Sequence, residues 1–155
     1  MSKAFTDEET PVPDGPEALP PRERDLPITR AGLARLRAEL AALSTSGPSE
    51  TGARRARVLV QVLNSVYVQE PSLVDGRVGF GTSVTLEEAD GRRTSYEIVG
   101  PDEVEPARRQ ISVASPVARA LLGKRAGDVV VLPRPRGDIE VTLVSVTVAR
   151  EDAER

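Results

Sequence analysis

Leu33, Leu36, Leu40 and Leu43 recur at alternating steps of three and four residues, which lines one face of an α-helix and leaves Arg30, Arg35, Arg37 and Glu39 on the others. A helix this one-sided has to bury its seam against a second element. Thr29 stands where a capping hydroxyl would start the helix, and Ser44 to Gly52, with two glycines and a proline, breaks it as a turn. Beyond the turn, Val58, Leu59, Val62, Leu63, Val66 and Tyr67 form another helical stripe between Ala53 and Val68. Its many β-branched residues lower intrinsic helix propensity, so this segment too depends on a partner. Together the two segments predict a short antiparallel helical hairpin over residues 26–70, with Ser49 and Glu50 at its tip.

The spacing changes after Pro71. Val78, Phe80, Val84 and Leu86 alternate along Arg77 to Glu87, Ala89-Asp90-Gly91 supplies a turn, and Thr94 to Val99 pairs back. Gln110 to Ala114 reads as another strand. It runs into Ser115-Pro116, where serine can cap and proline suits the first position of a short helix closed by Gly123. Val129 to Leu132 and Ile139 to Val148 are the last strands, and the alternation of the final one slips between Leu143 and Val144 as a β-bulge would require. The predicted fold class is α+β: the helical hairpin, then an antiparallel sheet with one short helix over residues 76–149. Residues 1–25 carry seven acidic and three basic residues among many prolines, the composition of a disordered acidic arm, and residues 150–155 form a polar tail. No internal repeat is present.

Composition removes whole classes of chemistry. With no Cys and no His, disulfides, thiolate or imidazole metal sites and nucleophile–His arrangements are excluded together. The formal charge of −3 gives no global pull toward phosphate, and aromatics at 3% leave no base-stacking platform. Autonomous nucleic-acid binding is therefore not expected, while carboxylates, Lys, Tyr and hydroxyls remain as chemistry. No cofactor, resident metal or enzyme activity is expected. The apolar runs fall short of a membrane span and Met1 to Arg24 lacks a signal-peptide core, which predicts a cytoplasmic protein without membrane contact. A protein partner is the expectation that remains.

Several ordered segments carry a family resemblance. Pro27-Ile28-Thr29-Arg30-Ala31-Gly32-Leu33, with Leu36 and Glu39-Leu40, resembles the opening of the Gre transcript-cleavage factors. Gly76 to Val84, Tyr96 to Gly100, Ile111 to Lys124 and Gly127 to Val130 resemble the C-terminal domain of the same family, in family order. The resemblance covers roughly residues 26–148 and implies an FKBP-like C-terminal domain that grips helices at the rim of the RNA polymerase secondary channel. Val113, Ala114, Ser115, Pro116, Ala118 and Arg119 are the partner-binding residues it implies. It also implies a coiled coil that enters the channel and presents acidic residues to a catalytic magnesium. This chain departs from that pattern, because the acidic tip motif and the flanking coil are missing and Glu50 is the lone carboxylate in the turn. Hard cations are usually held by several oxygen ligands, so such a tip predicts no cleavage activity.

The expected function is that of a noncatalytic transcription regulator that competes with other factors for the polymerase channel. A nucleoside-diphosphate-kinase-regulator type of Gre relative, with the same partner and a short coil, is the alternative, and an FKBP-like isomerase or chaperone is a further one. Ser115-Pro116 fits both a partner corner and a simple helix cap. Arg54-Arg55-Arg57 fits both an acidic channel wall and a solvated helix face. Phe80 and Tyr96 could line an isomerase pocket, but with two Phe, two Tyr and no Trp the core is the better place for them.

Overall fold

The computed structural model describes Leu19, Arg22 and residues 24–149, so the expected acidic arm lies almost entirely outside the described residues, and the polar tail wholly so. After a short strand β1, Leu26–Ile28, helix α1 spans Arg30–Thr45 and α2 spans Glu50–Leu63. Thr29 caps α1 by accepting from the Gly32 N–H at 3.0 Å, and Ser49 caps α2 by accepting from the Gly52 N–H at 2.9 Å. The turn is therefore narrower than the sequence suggested, only residues 46–49. The reason is local: Ser44, Thr45 and Ser46 turn their hydroxyls back onto the carbonyls of Leu40 and Ala42, which satisfies the end of α1 and lets it run on. Between α1 and α2, Leu36, Leu59 and Val62 are buried with Ile28, and Leu33, Leu40, Leu43 and Val58 close around them. Full burial of one such leucine is worth roughly 2 kcal/mol.

The second helix ends earlier than its apolar stripe predicted. Asn64 caps it, and Val66–Val68 forms β2, which pairs in parallel with β1 in the register Leu26 to Val66 and Ile28 to Val68. Gln69 N–H to Ile28 O and Leu26 N–H to Ser65 O extend that pairing at both ends. Tyr67 and Val68 are exposed here rather than buried in a helical seam.

The second half forms a five-stranded sheet. Strands β3 (Thr82–Glu88), β4 (Arg93–Val99), β5 (Gln110–Ser112), β6 (Val129–Leu132) and β7 (Ile139–Val148) lie in the order β5-β4-β3-β7-β6. The sheet is mixed, which corrects the antiparallel expectation: β4 and β5 pair in parallel, Glu97 with Gln110 and Val99 with Ser112. The chain does not double back after β4 but crosses through a 3-10 turn at Pro106–Arg108, and Arg109 in the left-handed region (φ 56°) delivers it into β5. Val78 and Phe80 are buried as expected, yet they precede β3 and pack from its lead-in, where Val78 exchanges backbone bonds with Gly123 and Lys124. The bulge falls where the alternation slips, because Thr85 pairs with Ser145 while Leu86 pairs with Leu143, leaving Val144 extra. Helix α3, Pro116–Leu121, covers one face, and Ala118 and Leu121 join Val84, Leu86, Ile98, Val130, Val141 and Leu143 in the core.

Candidate functional site

The corner that leads into α3 is held by its own hydrogen bonds. Ser115 Oγ accepts from the Ala118 N–H at 3.2 Å, Ser115 N–H donates to Ser112 O at 2.9 Å, and Val113 N–H donates to Val99 O at 2.8 Å. Ala114, Pro116 and Arg119 are exposed, whereas Val113 and Ser115 are half-buried. Ala118 has no accessible surface because it packs into the sheet core. The surface on offer is thus Ala114, Pro116 and Arg119, followed by exposed Lys124 and Arg125. Arg119 makes no salt bridge among the described residues.

The helical tip offers less chemistry. Ser49 is occupied as a cap, and Glu50 begins α2 on the exposed end. No group of three or more His, Cys, Asp or Glu that could hold a metal ion occurs among the described residues. Arg54 is exposed, while Arg55 reaches back to Glu39 through a bidentate pair at 2.7 and 3.1 Å, which holds Glu39 below the usual carboxylate range. The pair ties α2 to α1, so Arg55 is part of the arm's own packing.

A third site was not legible in the sequence. Glu103, only 4% exposed, accepts from Thr29 N–H at 2.7 Å and from Gly100 N–H at 2.8 Å, and its other oxygen accepts from the Thr29 hydroxyl. Bonds to a charged acceptor are worth roughly 1.5–3 kcal/mol each, and leaving such a group unpaired would cost as much. Gly32 and Gly100 make the room: a Cβ on Gly32 would stand 2.0 Å from Glu103 Oε1, and one on Gly100 would stand 1.8 Å from Pro27 O. Beside it Arg35 donates to Glu105 at 2.6 Å and approaches Gln110 Oε1 at 3.5 Å. Glu97 lies close by, and burial pushes its carboxyl above its ordinary value of 4.5 against a bond from Gln110. Gly32, Arg35, Glu103 and Glu105, with Glu39 and Arg55, border a polar cleft of about 310 Å³ between the helices and the loop at 102–108, and no aromatic side chain lines it. Phe80 is in the core and Tyr96 packs against it. The one sequence signal for this junction was a glycine inside a leucine seam.

The architecture is a short helical pair joined to a small mixed sheet with an exposed helix corner. Residues 73–148 match the family model described as transcription elongation factor, GreA/GreB, C-terminal. Transcription elongation factor GreA of Maridesulfovibrio salexigens is 35% identical over 150 residues, covering 78% of this chain and 94% of that protein. Transcription elongation factor GreB of Neisseria meningitidis serogroup A is 41% identical over 101 residues, 64% of this chain and 62% of that one. Against GreA of Nitratidesulfovibrio vulgaris, 49% identical over 76 residues, the chain spans about half of the relative's length. The solved structure of Thermus aquaticus Gfh1 overlays with a TM-score of 0.43 at 29% identity, covering 80% of this chain and 99% of that chain. The chain belongs to the GreA/GreB family of transcription elongation factors. In the Maridesulfovibrio alignment of 150 residues only 78% of these 155 residues take part, so that relative carries residues with no counterpart here.

Proposed function

We propose that this chain is a noncatalytic regulator that docks on bacterial RNA polymerase at the rim of the secondary channel and competes with other factors for that place. In this reading residues 76–149 are an FKBP-like docking domain whose contact surface is the α3 corner, and residues 26–70 are a short coiled-coil arm that enters the channel without completing an active site. The carrying observation is the arm itself. Helices of 16 and 14 residues extend only about 24 Å at 1.5 Å per residue, and their tip holds a single carboxylate, Glu50. A tip of that length and charge has little means of retaining a metal ion for water activation.

Co-purification with core polymerase tests the reading. Retention at micromolar concentration, lost in Arg119→Glu and kept in Arg54→Glu, is the expected outcome, because Arg119 lies on the docking corner and Arg54 on the arm's exposed face. Absence of binding by the parent chain sinks the proposal. The short arm equally suits a nucleoside-diphosphate-kinase-regulator type of Gre relative, which shares the partner and differs in physiological output. The acidic overall charge and the low aromatic content of 3% support action through the polymerase and not through nucleic acid directly, and with it a cytoplasmic role.

A further inference from the structure

The two apolar cores of the molecule share no residue: one lies between α1 and α2 around Leu36 and Leu59, the other between α3 and the sheet around Val84 and Leu143. The angle between the arm and the sheet therefore has no common apolar core to define it. Polar contacts cross between them: Arg35 reaches Glu105 and Gln110, and the most buried acceptor at the junction is Glu103. Glu103 takes both Thr29 donors, one backbone and one hydroxyl, where α1 begins, and the Gly100 N–H where β4 ends. Around it the packing leaves no slack, since neither Gly32 nor Gly100 has space for a methyl group and Arg35 holds the same loop through Glu105 and the Glu103 carbonyl.

We propose that Glu103 is a positioning residue: its buried carboxylate fixes the direction in which the arm leaves the sheet domain, so that docking through α3 aims the tip along one line. Three features specify this. The acceptor receives donors from both units at once, so a change of angle breaks a bond on one side. It is too buried for water to replace that bond cheaply. It grips Thr29, the cap residue, so the force is applied at the root of α1, where a small displacement is magnified along the helix. The inference rests on the proposed docking only for its consequence, since the geometry belongs to the free protein.

The test needs no polymerase. The chain has no cysteine, so Thr51→Cys at the start of α2 and Thr142→Cys on the outer face of β7, both exposed, can carry a pair of spin labels. Pulsed dipolar spectroscopy of the otherwise native chain should give one narrow distance distribution. Glu103→Ala should lose that single peak while the amides of β3 and β7 keep their protection from hydrogen exchange. Glu103→Gln should retain it: the amide oxygen can accept from Thr29 and Gly100 while its NH2 donates to the Thr29 hydroxyl. Gly32→Ala gives an independent reading. Inside a helix that change ordinarily stabilises, but here its methyl group displaces the carboxylate and should broaden the distribution as Glu103→Ala does. An unchanged narrow peak in Gly32→Ala or Glu103→Ala overturns the proposal, as does a broad one in Glu103→Gln. Should Glu103→Ala fail to fold, the Gly32→Ala and Glu103→Gln pair decides. Failure here leaves polymerase binding untouched, and failure of co-purification leaves this geometry untouched.

Discussion

Thr29 serves two structures with one side chain: its hydroxyl accepts from Gly32 to begin α1 and donates to Glu103 across the junction. Ser49 performs the first task alone, on an exposed end. Thr29→Ala should therefore cost about 2 kcal/mol or more and Ser49→Ala only about 1 kcal/mol in urea unfolding, because the first removes a cap and also leaves a buried carboxylate short of a donor. Glu97 should reveal itself through pH. Burial raises its folded-state pKa, so the proton is held more tightly in the folded chain; its contribution to stability is present below 4.5 and is lost as pH rises through the raised value. Glu97→Gln should remove that loss, giving a variant more stable than the parent at neutral pH, with a flatter stability profile above pH 4.5 in a denaturation series. At this scale two caps were legible, Thr29 and Ser115, whereas Ser49, read only as a tip residue, turns out to cap α2. Glu103 was not legible, because a glutamate in a Gly-Pro-Asp-Glu loop has the composition of a solvated turn and only the tertiary fold buries it.

Among the elements, β6, bounded by turn residues, and β7, with its slipped alternation, were readable to the residue. The apolar run after α2 was not. Val66-Tyr67-Val68 continues a helical stripe on paper, but three residues cannot distinguish the two periods, and what settles the matter is the distant strand β1 beside which they lie. The direction of β5 is likewise decided outside its own three residues, by the 3-10 turn before it and the left-handed Arg109. The arm's helices depend on each other, and Leu59 is the most enclosed leucine between them. Leu59→Ala should destabilise the arm by about 2–4 kcal/mol. Hydrogen exchange locates the effect: amides in α1 and α2 should lose protection and those in β3 and β7 should keep it, since the two cores share no residue.

At the scale of the whole molecule, the proposed role rests on reach and charge. Added to a backtracked elongation complex with magnesium, the protein should release no 3′ RNA fragment, and increasing amounts should slow cleavage by an active Gre factor. The first expectation follows from an arm of about 24 Å and a lone tip carboxylate, the second from mutual exclusion on one docking place, which grows with concentration over dissociation constant. Stimulation of cleavage by the protein alone, abolished by Glu50→Ala, would reverse the reading of the tip. The family was legible from sequence segments alone, because the glycines and the Ser-Pro corner are spaced by the sheet they serve. The mount between the two halves was not, because it is made from residues with no periodic signature.

The parallel pairing of β1 with β2 has a consequence for how such molecules diversify. The chain leaves through Leu26–Ile28 and returns through Val66–Val68 side by side, so everything between is a closed excursion with both ends pinned at one point. Whole heptads can be added to or removed from both helices together without disturbing that clasp or anything beyond it. Arm length is thereby an adjustable dimension, as in a key whose shaft is cut to any measure while the bow stays the same.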